Sequence, residues 1–289
     1  MAAGQLIDGK SMAADVKREL AARIDRLDSE SGIRPGLAVI LVGDDPASET
    51  YVRGKIRDCR DVGIRSELVR LPENTPEEVL LRQIDRLNED PSFHGILVQL
   101  PLPRHISAER VIHRIRPEKD VDGFHPINVG KMVIGQEAFL PCTPYGIMEM
   151  LRRTGISVAG KHAVVVGRSN IVGKPISILL QQANATVTMC HSKTKDLSAH
   201  TRRADILVVA VGKAHVIGPE HVGPNAVVID VGINRTEEGR LTGDVDFEAV
   251  RPIASHITPV PGGVGPMTRA MLLVNTVRAA ERTAGIGQG

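Results

Sequence analysis

Short apolar runs alternate with amphipathic stretches along most of the chain. "GLAVILVG" (36–43), "GILVQLPL" (95–102), "HAVVVG" (162–167), "ATVTMC" (185–190), "DILVVAVG" (205–212) and "AVVIDVG" (226–232) are almost continuously apolar. Such runs read as strands buried on both faces of a parallel sheet. Between them apolar positions recur at helical spacing. Ser11 is placed to cap a helix that carries Met12, Val16, Leu20, Ile24 and Leu27 on one face. "TPEE" (75–78) reads as a capping box with Pro76 in the first turn. Thr143-Pro144 repeats that start, and Gly155 ends the same helix. The alternation predicts an α/β fold.

Two interruptions organise the chain. The Pro/Gly-rich stretch from Pro117 to Pro144 is the expected domain junction, and "TPVPGGVGP" (258–266) precedes a last helix from 267 to about 283. A length of 289 residues suits about two domains. The tail "GIGQG" (285–289) reads as disordered.

Composition narrows the function more by exclusion than by assertion. A formal net charge of +2 gives no electrostatic footprint for nucleic acid or membrane, and 2% aromatics leaves little to stack bases on. Cys59, Cys142 and Cys190 are odd in number and far apart, the pattern of buried thiols in a reducing compartment. "MAAGQLIDGKSMAADVKREL" has no apolar signal core and no run approaches the ~18 residues of a membrane span, so a cytoplasmic protein is expected. No H-E-x-x-H, C-x-x-C or G-x-S-x-G pattern occurs, and no metal is predicted.

The stretch from His162 to Lys193 reads as strand, turn, helix, strand, with a broken dinucleotide fingerprint in the turn. After Gly167 the expected second glycine is Ser169, and the next glycine is Gly173, leading into Lys174-Pro175. Backbone N–H groups at that helix start are placed to meet a phosphate. An NAD site carries an acid near the end of the second strand. Here Ser192 and Lys193 stand there and Arg168 projects from the turn, which favours the 2′-phosphate of NADP.

Polar residues mark strand ends in the first half. Gln99 closes "GILVQ", either as a group emerging at a strand end or as a hydrogen-bonded functional amide, with Pro101 and Pro103 stiffening the backbone beyond it. Asp120 and Asp122 lie two apart in "EKDVDGFHP" with only Glu118 near them, a pattern common in solvated turns. Tyr51 and Lys55, four apart in "SETYVRGKIRDC", share a helix face beside a stripe of Val52, Ile56 and Cys59. That pair fits either an ordinary helix surface or a proton-transfer site. Gly262 and Gly263 in "TPVPGGVGPMT" would let backbone approach a ligand closely.

Taken together, "YVRGK" after "GDDPAS", "GILVQLPLP", "KDVDGFHP", "GRSNIVGKP" and "TPVPGGVGPMT" resemble the bifunctional methylenetetrahydrofolate dehydrogenase/cyclohydrolase family, in its order and spacing over nearly the whole chain. The resemblance implies two α/β domains with an interdomain cleft. The first comprises residues 1–141 with a returning C-terminal helix (267–289) and carries folate and catalysis. The second, 142–266, is Rossmann-like with a parallel sheet and carries NADP. By position Lys55 resembles the catalytic lysine, Tyr51 its ring-stacking partner, Gln99 its orienting amide and Asp122 the pterin anchor. Leu100, Pro101, Pro261, Gly262 and Gly263 complete the implied folate contacts. Gly167, Arg168, Ser169, His191, Ser192 and Ile233 are the implied cofactor contacts. A homodimer working in cytoplasmic one-carbon metabolism and purine biosynthesis is implied as well.

The implied chemistry oxidises 5,10-methylenetetrahydrofolate with NADP and hydrolyses the methenyl product to 10-formyltetrahydrofolate. Lys55 would handle the proton of the attacking water, its pKa lowered by partial burial and by the cationic substrate. Three rivals are weighed. Tyr-x-x-x-Lys also marks short-chain dehydrogenases, but there it follows the Rossmann fingerprint, whereas here Tyr51 precedes Gly167. A dehydrogenase resembling shikimate dehydrogenase would lack the tyrosine partner and "TPVPGGVGPMT". A silent nucleotide-binding scaffold would not need Lys55, Gln99 and Asp122.

Overall fold

The computed structural model describes residues 4–286; residues 287–289 of the tail expected to be disordered lie outside them. Strand β1 (Gln5–Leu6) leads into helix α1 (Gly9–Ser31). Then come β2 (Gly36–Val42), α2 (Pro46–Val62), β3 (Arg65–Leu71), α3 (Glu77–Glu89), β4 (Gly95–Val98), α4 (Ala108–Arg114), α5 (Pro126–Val133) and α6 (Cys142–Thr154). The second half runs β5 (His162–Val166), α7 (Gly173–Gln182), β6 (Thr186–Cys190), α8 (Leu197–Thr201), β7 (Ile206–Val209) and β8 (Val227–Asp230). Strands β9 (Asn234–Arg235) and β10 (Leu241–Thr242), α9 (Phe247–Val250), β11 (His256–Ile257) and α10 (Val264–Thr283) complete it. Among the described residues no helix is long and apolar enough to cross a membrane.

The described residues divide into two compact units: 4–14 with Thr143–Thr268, and Asp15–Cys142 with 269–286. The start of the chain departs from the expected division. Gln5 and Leu6 pair in parallel with His256 and Ile257, which carries residues 4–14 to the unit of the larger sheet.

In the unit built on Asp15–Cys142, three parallel strands stand in the order β3-β2-β4. All seven residues of β2 are buried, as its unbroken apolar run predicts. Against one face of this sheet pack Leu80, Ile84 and Leu87 of α3 and Val111 of α4, with Phe93 filling the corner. Strand β4 ends at Val98, short of the predicted run. The Gln99 N–H makes a last rung to Ile40 O at 2.9 Å, and Pro101, lacking an N–H, cannot extend the ladder. An isolated parallel bridge sets Asp120 beside Ile96, so Asp122 lies near the carboxyl end of β4.

The other unit holds six parallel strands in the order β1-β11-β8-β7-β5-β6. Its core joins Val164, Val166, Leu207, Val209, Val228 and Ile257. β6 sits at the edge, which explains why Thr186 and Met189 are exposed within a run read as buried on both faces. Two local expectations fail. Asp8, not Ser11, caps α1, its Oδ1 accepting from Ser11 N at 3.0 Å. No capping box closes at Thr75–Glu78: Pro76 is the N-cap of α3, and the Glu78 carboxylate instead accepts from Arg110 Nη2 at 3.0 Å.

Candidate active site

Helix α2 is firmly started and firmly anchored. Asp45 caps it by accepting from Ser48 N at 2.7 Å, and Pro46 takes the first position, where a missing N–H costs nothing. Val52 and Cys59 are fully buried, and burial pushes the Cys59 thiol up to about 12. Asp58, also buried, pairs with Lys17 at 3.1 Å on α1 and Arg269 at 2.8 Å on α10. This fixed helix presents Tyr51, 40% exposed, and the partly buried Lys55 one turn later.

Lys55 and Gln99, 44 residues apart, meet: Lys55 Nζ donates to Gln99 Oε1 at 3.1 Å. The amide's orientation is forced, because Gln99 Nε2 donates to Leu100 O at 2.6 Å. Turning it over would set two donors against each other and two oxygens against each other. Gln99 therefore accepts from the amine. An uncharged amine holding that bond keeps one N–H and its lone pair for substrate or water.

Asp122 is partly buried at the same end of the sheet, beside the end of β4. Burial raises its carboxyl above the ordinary range, while the Lys55 charge and the Cys142 thiol, 3.8 Å from its Oδ1, pull it back. Asp120, read from sequence as half of a solvated turn, is instead buried. Its Oδ1 accepts from Phe124 N at 3.2 Å, and its Oδ2 from His125 N and Asn128 Nδ2, both at 2.8 Å. It borders a small apolar pocket lined by Ile96, Val98, Val111, Ile115 and Phe124. Burial pushes its carboxyl up to about 7 against the pull of Asn128 and the two backbone donors, with Asp122 adding to the rise.

Because the folded state favours protonated Asp120, its contribution to stability is complete below about pH 3.8 and is lost as pH climbs to about 7. Asp120→Asn cannot ionise. Relative to the parent, its urea midpoint is expected to improve steadily from about pH 4 to about pH 7 and then level off. A constant difference across that window would refute the assignment.

In the other unit, the chain leaves β5 with β6 on one side and β7 on the other, the switch point where open α/β sheets leave a crevice for ligands. Gly167 follows β5 at φ 127°, and a Cβ there would stand 2.2 Å from Ala210 O. A Cβ on Gly173 would stand 2.3 Å from Gly167 O and 2.8 Å from Arg168 N. The two glycines let the turn fold this tightly. The N-terminus of α7 is less open than the sequence suggests: Ser169 Oγ accepts from Val172 N at 3.1 Å and Gly173 N at 3.3 Å, and Ser169 O from Lys174 N at 3.0 Å. Ser169 keeps its own O–H to donate. Arg168, Ser169, Ser192 and Lys193 are exposed, and neither Arg168 nor Lys193 forms an ion pair among the described residues. His191 is partly buried and shapes the next turn, its Nδ1 accepting from Lys193 N at 3.2 Å. Ile233, 47% exposed, follows β8 at the same end of the sheet. Pro261, Gly262 and Gly263 also belong to this unit, with Gly262 O accepting from Lys10 N at 2.9 Å.

The family model for the tetrahydrofolate dehydrogenase/cyclohydrolase catalytic domain matches residues 7–122, and that for the NAD(P)-binding domain of the same family matches residues 141–284. The chain belongs to the tetrahydrofolate dehydrogenase/cyclohydrolase family. It is 61% identical to the bifunctional protein FolD of Brevibacillus brevis over 282 residues, covering 98% of this chain and 99% of that one. The crystal structure of the FolD dehydrogenase/cyclohydrolase of Campylobacter jejuni superposes with TM-score 0.96 at 52% identity, over 97% of this chain and all of that one. The Trypanosoma brucei enzyme, solved with NADP cofactor and inhibitor, gives 0.94 at 41% identity, covering 98% and 99%. The shikimate dehydrogenase alternative fares poorly. The Thermus thermophilus enzyme shares the fold at TM-score 0.51 but only 16% of residues.

Proposed function

We infer that the chain carries both activities of its family: oxidation of 5,10-methylenetetrahydrofolate with NADP, then hydrolysis of 5,10-methenyltetrahydrofolate to 10-formyltetrahydrofolate. The observation that carries this reading is the hydrogen bond from Lys55 to an amide whose orientation is forced, beside a half-buried carboxyl, in a chain of this family. For the oxidation the protein supplies position, not a base. NADP, when bound, supplies the hydride acceptor. The glycines at 167 and 173 let the turn fold tightly at the switch point, the Ser169 hydroxyl has a proton to give to a phosphate oxygen, and Arg168, Ser192 and Lys193 suit a 2′-phosphate.

Hydrolysis is the step that needs proton transfer. Water adds to the methenyl carbon and gives a proton to the Lys55 amine. As the bond from that carbon to N5 breaks, Lys55 returns the proton to N5, and the hydroxyl proton leaves as the formyl carbonyl forms. Gln99 holds the amine in place throughout. Asp122 accepts hydrogen bonds from the pterin amino and ring N–H groups, and Tyr51 stacks on the aminobenzoate ring. Leu100 and Pro101 with Pro261, Gly262 and Gly263 are assigned further folate contacts, and His191 and Ile233 cofactor contacts. We also assign a cytoplasmic homodimer that feeds purine biosynthesis, to be checked by sedimentation giving the mass of two 31.1 kDa chains.

One absorbance assay tests the core of the reading. Methylenetetrahydrofolate with NADP should give a methenyl product that forms and then decays; no methenyl product with either NADP or NAD overturns it. In the same assay Arg168→Ala is expected to raise the KM for NADP roughly 10- to 100-fold, the loss of one charge-assisted contact, and to change that for NAD far less. Equal losses for the two would remove Arg168 from the 2′-phosphate.

A further inference from the structure

The side chain of Asp122 meets the Cys142 thiol, and its place in the loop is held closely from behind. Asn275 of α10, with no exposed surface, donates through Nδ2 to Val121 O at 2.9 Å and to Leu140 O at 3.0 Å. Cys142 Sγ donates to the same Val121 O at 3.3 Å and lies 3.8 Å from both Asp122 Oδ1 and Asn275 Nδ2. The carbonyl of Val121 belongs to the peptide that ends at Asp122 N, so fixing it fixes the direction in which Asp122 leaves the backbone. On the other flank Gly123 takes φ 73° and lies so close to Leu140 that a Cβ would stand 2.5 Å from its carbonyl carbon. The two sides of the loop are thus stitched together directly around Asp122.

The stitching carries a cost that packing does not explain. Asn275 Oδ1 is buried and has no partner among the described residues. A buried acceptor left unpaired is unfavourable, and an amide whose two hydrogens already meet two carbonyls cannot be turned to relieve it. Asn275 is therefore useful for its NH2 group alone. Burial and the Asp122 charge hold the Cys142 thiol well above its ordinary range, so it remains a donor across the working pH.

We propose that Asn275 and Cys142 are positioning residues for folate binding, aiming the Asp122 carboxyl through the Val121 carbonyl. The proposal rests on Asp122 as the pterin anchor, and Asp122→Asn supplies the scale. In steady-state assays of the full chain, Asn275→Leu and Cys142→Ala are expected to raise the KM for methylenetetrahydrofolate about three- to thirtyfold with the KM for NADP within about twofold. Cys142→Ser, which keeps a donor, should return most of the affinity. Should Asn275→Leu fail to fold, the alanine and serine variants at Cys142 decide alone, and equal KM values for those two overturn the proposal. So does a parent-like folate KM in Asn275→Leu while Asp122→Asn is impaired, or an equal rise for both substrates. A parent-like folate KM in Asp122→Asn removes the anchor and the proposal with it.

Discussion

Lys55→Met is expected to slow hydrolysis of 5,10-methenyltetrahydrofolate by about a thousandfold or more while NADP binding stays at the parent level. A positioned acid–base group contributes between about 10² and 10⁴ in rate, and a thousandfold is about 4 kcal/mol of barrier. Methionine keeps an unbranched side chain on the helix and removes only the amine. α2 should hold its place, because its anchors are Asp58 with Lys17 and Arg269, none of which touches Lys55. Gln99 Oε1 loses its donor, but the residue is partly exposed and water can take over. The cofactor turn belongs to the other unit and contains none of these groups. Oxidation of the methylene substrate, which requires no proton from the protein, should fall much less than hydrolysis. Parent-like hydrolysis by the variant would exclude Lys55 as the proton-handling group.

The parts of this molecule that are legible in the sequence share a physical cause. A strand buried on both faces must be apolar throughout, so β2 and β5 announce themselves; β3 does not, because Arg65, Glu67 and Arg70 lie along an edge strand open to water. β1 and β11 have two residues each, too few to show a period. At the candidate site, Gln99 stands out as an amide ending an apolar run, but nothing local indicates that its partner lies 44 residues earlier. Only the register of β2 with β4 and the crossover through α2 bring the two together. Asp120 looks like a solvated turn residue because its donors lie at Phe124, His125 and Asn128, and their approach depends on a loop that no sequence period specifies. Asn275 is inconspicuous among the several polar residues of α10, where such a residue usually makes a local bond.

Asp244→Ala should be the most damaging single change to the folded state. Asp244 is fully buried, and its carboxylate accepts from Val211 N at 2.7 Å and from Gly212 N, Lys213 N and Asn234 Nδ2, each at 2.9 Å. Those donors come from the turn after β7 and from the first residue of β9, so one side chain ties the segments that follow β7 and β8 together where the cofactor contacts are assigned. Beside it, buried Asp230 accepts from Gly232 N, Asp244 N and Val245 N, each at 2.9 Å, and burial pushes its carboxyl up to about 6. Alanine leaves four donors without an acceptor, and the space that one carboxylate vacates admits about one or two waters in its place. At about 1–3 kcal/mol for each donor left unpaired, with those waters meeting some of the four, the loss should be about 2–4 kcal/mol, a large share of the roughly 5–15 kcal/mol that holds a typical domain together. Asp244→Asn is the sharper comparison, since its NH2 must face donors whichever way the amide turns, so it should recover little. Urea unfolding of the three proteins measures this directly. If Asp244→Ala unfolds within about 1 kcal/mol of the parent, the four hydrogen bonds are not what organises that edge of the sheet. If it is destabilised as expected, NADP affinity should fall with it, because every contact assigned to the cofactor lies in that unit.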